Sequence, residues 1–346
     1  MRRIWIGILL LILLTLPVSA LELSAPEAPE SALPFMPSDP QNLGEGIRYV
    51  ITQAILKIRP DLKEACRICC GVILSVAVVA LMGSMPGMPS KTGVLMGAVS
   101  VSTLLLSRTG ALVDLAADVV NQISQYGKLL LPVMTGAMAA QGGVGTSAGL
   151  YAGTVAFNAL LSGLISGVLI PLMYCYFALA TVHAVSDLDF VKRIRDTVRN
   201  FSVWLLKTIL YIFTAYMGIT GVVSGSTDAA AMKAAKLTIT SVVPVVGGIL
   251  SDASEAVLVS AGVARNAAGI YGMFALLGIW IGPFARIGVH YLLIRFAGMI
   301  SSIFGQKELS ELVSDYGTGM GILLGMTAAV CMMFLISVFC FMRGVG

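Results

Sequence analysis

Asp252 and Glu255 stand three residues apart in a stretch otherwise apolar enough for a membrane, SVVPVVGGILSDASEAVLVSAGVARNAAGIY from Ser241 to Tyr271. That spacing puts both carboxylates on one side of a helix. Ionised acids in hydrocarbon are costly and mark ion or proton paths, so the pair is a candidate polar pathway. A local reading competes: Ser251 or Asp252 caps a helix that restarts after Gly248, and Glu255 completes a capping box. Arg265, Asn266, Arg286, His290 and Arg295 follow along the same part of the chain. These residues either line a polar cavity with the acids or, for Arg286, His290 and Arg295, reach to an interface along their apolar stems.

Other chemistry has less support. His183 and His290 are the only histidines, and no Cys/His spacing matches a zinc site. Cys66, Cys69 and Cys70 form a CxxCC cluster. Redox, acylation or disulfide chemistry is one reading of it, and small buried packing residues the favoured one. There is no nucleophile elbow, phosphate loop or metal-ligand motif. The expectation is a non-enzyme without cofactor or metal.

The elements that carry these residues are unusual. Pro244 and the Gly247-Gly248 pair should interrupt a helix, and hydrocarbon tolerates such a break only where protein or a water-filled cavity covers the freed backbone. Pro132-Val133-Met134-Thr135-Gly136 matches Pro244-Val245-Val246-Gly247-Gly248 at an offset of 112, which also places Pro171 on Pro283. At an offset of 115, Val198, Asn200 and Phe201 fall on Val313, Asp315 and Tyr316. The pattern predicts a parallel internal repeat near 129–201 and 241–316, with breaks at Pro132, Gly136, Pro244, Gly247 and Gly248 that re-enter the membrane. Paired broken segments of this kind point to a functional centre in transporters. The first copy has Ala140 and Gly143 where the second has Asp252 and Glu255, so the acids are not duplicated.

Composition sets the class. Hydrophobic residues make up 57% of 346 and charged residues 12%, against about 25% charged in soluble domains. An all-α polytopic membrane protein with about six spans follows. A net charge of +4 without basic runs gives no reason to expect nucleic acid. Arg2, Arg3, the apolar run Ile4 to Leu14, and Val18 and Ala20 have the layout of a signal peptide over 1–20. Residues 21–45 carry five prolines and five acids without Lys or Arg, and are expected to form an exported, disordered arm.

Residues 46–68 should form interfacial amphipathic helices, with the membrane domain over 69–346. Within it, 108–128 reads as a further interfacial helix, with Leu112, Val113, Leu115, Val119, Val120 and Ile123 on one side. Lys192, Arg193, Arg195 and Arg199 are the densest basic cluster after the N-terminus and the best cytoplasmic candidate. Glu308, Glu311 and Asp315 lie in an amphipathic stretch before the last span. Three spans before the basic cluster place the mature N-terminus outside.

The run PVVGGILSDASEAVLVSAGVARNAAGIYG (Pro244 to Gly272) and the closing QKELSELVSDYGTGMGILLGM (Gln306 to Met326), with the N-terminal signal and acidic arm, resemble the stage III sporulation protein AE family. The resemblance covers most of the chain from Ile47 onward. It implies a protein of the mother-cell membrane around the forespore, in an assembly with its sibling AA to AH proteins and a forespore Q partner. Such an assembly is regarded as a channel supporting forespore development. Membrane lipid and further copies of the chain are the other expected contacts. An autonomous secondary transporter, working through the repeat interface, is the alternative.

Overall fold

The computed structural model describes residues 25–37, 43–83, 90–186, 188–242 and 247–343, with side chains described for all of these except 90, 91 and 221–261. The described elements are helical, as the apolar periodicity predicts. They are α1 (Leu43–Lys57), α2 (Arg59–Gly83), α3 (Ser90–Ala140), α4 (Val144–Leu164), α5 (Ile170–Ser186), α6 (Asp189–Val242), α7 (Gly247–Ile303) and α8 (Lys307–Arg343). A π segment, Ile165–Leu169, joins α4 to α5 just ahead of Pro171. Pro171 has no amide hydrogen to donate, and the wider i→i+5 turn adjusts the ladder beside it.

Helix α8 is the axis of the bundle. Tyr316, Met320, Leu323, Met326, Val330, Phe334, Val338 and Phe341 recur every three or four residues and are buried. α7 and α3 pack most extensively on it, α6, α5 and α4 complete the ring, and α2 leans on α3 and α7. Glycine lets helices approach closely. Phe334 lies directly on the backbone of Gly127, and Phe177 on that of Gly319. Polar bridges tie the layers, with Asn158 Nδ2 donating to Ser124 Oγ at 3.0 Å and Thr154 Oγ1 to Ser337 Oγ at 2.9 Å.

Three expectations are corrected. Residues 108–128 are not a separate interfacial helix but the middle of α3. Their apolar face packs on protein: Leu112, Val113, Val119, Val120 and Ile123 are buried in the core. The chain does not break at Pro132 or Gly136 either, because α3 runs through both. Pro132 sits on the exposed side, while Leu130, Leu131, Met134 and Met138 are buried. Packing on that face outweighs the lost hydrogen bond.

The first interruption falls instead at 141–143. Gly142 has φ 90°, its N–H bonds the Ala139 carbonyl at 2.9 Å, and the Gly143 N–H bonds that of Met138 at 3.2 Å. This is a Schellman closure, which satisfies two orphan carbonyls and favours glycine at the left-handed position. It joins two helices and is not a re-entrant loop. In the second stretch Pro244 lies outside the described residues, and α7 starts at Gly247.

The third correction concerns the arm. Residues 25–37 lie against the bundle and do not extend freely. Ala32 and Phe35 are buried on α7, where Gly278 and Gly282 form a shallow track; a Cβ on Gly278 would come within 3.0 Å of Ala32. The Ala28 N–H donates to Tyr271 Oη at 3.2 Å, Tyr126 Oη donates to the Pro26 carbonyl at 3.2 Å, and Ser31 Oγ donates to Gln122 Oε1 at 2.7 Å. Closely spaced prolines restrict this segment before it docks, which lowers the entropy lost on binding.

Candidate functional site

Two charged centres emerge. The first is a cavity of about 350 Å³ between α2, α3 and α7, lined by Asp61, Glu64, Arg108, Arg286 and His290. Asp61 and Glu64, three apart in the first turns of α2, face the same way, as do Arg286 and His290 at a spacing of four on α7. Arg286 Nε is 2.7 Å from Asp61 Oδ1, and Arg108 pairs with Glu64. His290 is 4% exposed, and its Nδ1 lies 2.9 Å from the Arg286 carbonyl oxygen. A carbonyl only accepts, so Nδ1 carries the hydrogen and a neutral ring leaves Nε2 as an acceptor. Nε2 is buried without a partner among the described residues. The cavity is thus lined by two ion pairs and by a buried imidazole whose Nε2 has no partner among the described residues.

The second centre is a clamp. Arg195 on α6, 3% exposed, meets Asp315 and Glu311 on α8, the latter at 3.2 Å, and its neighbour Asp196 at 3.2 Å. Lys192 Nζ is 2.7 Å from Glu311 Oε1, and His183 Nε2 on α5 is 3.8 Å from it. Tyr176 Oη donates to the Asp315 carbonyl at 3.2 Å. Three helices are joined here, and each of these charges has an opposite partner, Arg199 adding a third cation 3.9 Å from Asp196, which is what a structural joint requires.

The predicted site residues separate. Arg286 and His290 share the cavity. Arg295 lies elsewhere, over the Tyr291 ring at 5.7 Å, with Nη2 donating to Thr318 Oγ1 at 3.3 Å. Arg265 is buried near the 141–143 turn, and Asn266 is exposed. The side chains of Asp252 and Glu255 lie outside the described residues, within the helical backbone of α7.

Sequence reasoning did not single out Asp61, Glu64 and Arg108. The i,i+3 spacing of the two acids was the available signal. It also kept the basic cluster at 192–199 apart from the acids at 311–315, although their charges are complementary and their positions nearly matched in the repeat alignment.

Among the described residues, six helical stretches are long and apolar enough to cross a membrane. With the all-α bundle, this defines a multi-pass membrane protein. The family model for stage III sporulation protein AE matches residues 53–344, and the chain belongs to that family. It is 22% identical over 235 residues to the stage III sporulation protein AE of Bacillus subtilis (strain 168), a match covering 68% of this chain. The chain spans about 59% of that relative's length. No solved structure matches.

Proposed function

We propose that this protein is a non-enzymatic component of a channel complex between mother cell and forespore, supporting forespore development after engulfment. It resides in the mother-cell membrane around the forespore, with its mature N-terminus on the extracytoplasmic side. Its partners are the sibling AA to AH proteins and the forespore Q protein. Family membership across nearly the whole bundle is the observation that carries this reading.

Three candidate spans precede Lys192, Arg193, Arg195 and Arg199, which supports the orientation through the bias of cytoplasmic segments towards Lys and Arg. In that orientation the arm at 25–37 presents an ordered surface to the intermembrane space.

Affinity purification of the tagged protein from engulfed sporangia, after crosslinking and in mild detergent, tests the proposal. Recovery of the siblings and the forespore partner is expected. A lone, well-folded protein recovered while those partners are present in the lysate would overturn it. One observation favours the second reading, an autonomous transporter: the cavity around His290. Solute or proton uptake in proteoliposomes of the purified chain is its direct assay.

A further inference from the structure

A groove of about 760 Å³ runs between α6, α7 and α8 and shares no lining residue with the His290 cavity. Its floor on α8 is made by Gly321, Gly325 and Ala328, and Gly325 has nothing within 4 Å of where a Cβ would stand. The walls are mainly apolar. Among the described residues, the charged ones that line it are Arg199, Lys207 and Arg295, with no acid.

These cations are weakly engaged. Arg199 reaches Asp196 only at 3.9 Å, Lys207 has no partner among the described residues, and Arg295 has its Nε buried without one. Arg295 offers Thr318 a single 3.3 Å hydrogen bond. Three positive groups around one apolar slot, with no carboxylate among its described lining residues, call for an anion with an apolar body.

The depth of the cations identifies that anion. Arg199 and Thr318 stand immediately before the apolar runs that begin at Phe201 and Gly319, so the mouth is level with a membrane surface. Trp204, 59% exposed at the mouth, is the residue type that settles at headgroup depth. Lys207 lies two turns further in, and a lysine at that depth can extend its ammonium back to the headgroups. Basic pockets between spans at a membrane surface suit phospholipid headgroups.

We propose that this groove is a binding site for an anionic phospholipid of the leaflet at the Arg195 end. Its phosphate sits between Arg199 and Arg295, Lys207 meets further headgroup charge, and one acyl chain lies along Gly321, Gly325 and Ala328. The site is independent of the channel proposal, since it rests only on the bundle and its spans.

The test uses the full chain in nanodiscs of phosphatidylcholine, alone or mixed with phosphatidylglycerol, with co-purifying lipid measured by native mass spectrometry. The wild type is expected to retain phosphatidylglycerol in preference to phosphatidylcholine. Arg199→Gln or Arg295→Gln should each lower that retention about five-fold, corresponding to the loss of one cation near a charged headgroup. Gly325→Leu fills open space and should displace the acyl chain while leaving all three cations in place.

A free phosphate site would respond to the charge variants and not to Gly325→Leu, and that pattern overturns the proposal. Equal retention of both lipids, or unchanged retention in all three variants, overturns it as well. So does a photo-crosslinker at Met332 that captures a partner helix and no lipid. Thermal unfolding in detergent identifies any variant that fails to fold, and the Arg199, Arg295 and Gly325 variants then serve as checks on one another.

Discussion

Arg195 and Asp315, 120 residues apart, form a buried ion pair that fixes the start of α6 against the start of α8. The same offset recurs further along, where Met217 and Ser337 both meet Thr154. The two helices therefore run side by side in the same direction.

Arg195→Met should lower stability by about 3–5 kcal/mol, because it leaves Asp315 buried without its charge partner. The double variant Arg195→Met, Asp315→Leu should recover most of the loss, since an apolar pair of similar volume carries no desolvation penalty. Thermal unfolding in mild detergent checks both. A single variant as stable as the wild type would mean that water reaches the pair.

The docked arm gives a second prediction. Gly278→Leu places a side chain where Ala32 lies and should lift residues 25–37 from α7. Limited proteolysis should then cut this segment faster, with the spans as resistant as before. Unchanged cleavage would show that the Gly278 contact does not hold the arm.

Gly142 is the third test. At φ 90° a side chain is strained, so Gly142→Ala should cost about 1–2 kcal/mol. Gly136→Ala, inside the continuous α3, should instead be neutral or slightly stabilising. Unfolding curves that reverse this order would place the interruption back at Pro132–Gly136.

The cavity pairs should matter little for folding. The Arg286 and Arg108 side chains are each 49% exposed, against 15% for Asp61 and 30% for Glu64, and ion pairs with one partner in solvent contribute about 0–1 kcal/mol. Asp61→Asn should therefore leave the unfolding temperature almost unchanged. On the channel-component reading, Asp61→Asn and His290→Gln should also sporulate normally, as should Asp252→Asn with Glu255→Gln. Lost sporulation at normal abundance and intact assembly would move the balance to a proton or ion path.

Much of the architecture was legible because it depends on local patterns. Apolar periodicity identified a helical, multi-pass chain and the buried face of 108–128, and the two long runs at 244–272 and 306–326 identified the family. Composition alone could not show whether Pro132 would end a helix. Its cost is local, while the packing of Leu130, Leu131 and Met134 that offsets it belongs to the assembled bundle. For the same reason, five prolines predicted a free arm, whereas a glycine track 240 and more residues away receives it.

The sequence by itself therefore determined the class of protein, its helical character and the supply of charged groups. Tertiary structure decided which charges meet: Arg195 with Asp315, Arg286 with Asp61, and Arg295 with a groove and not with His290. Helix formation depends on neighbours within a turn or two along the chain. Pairing across more than a hundred residues depends on the rotation and register of whole helices, which close packing around α8 settles.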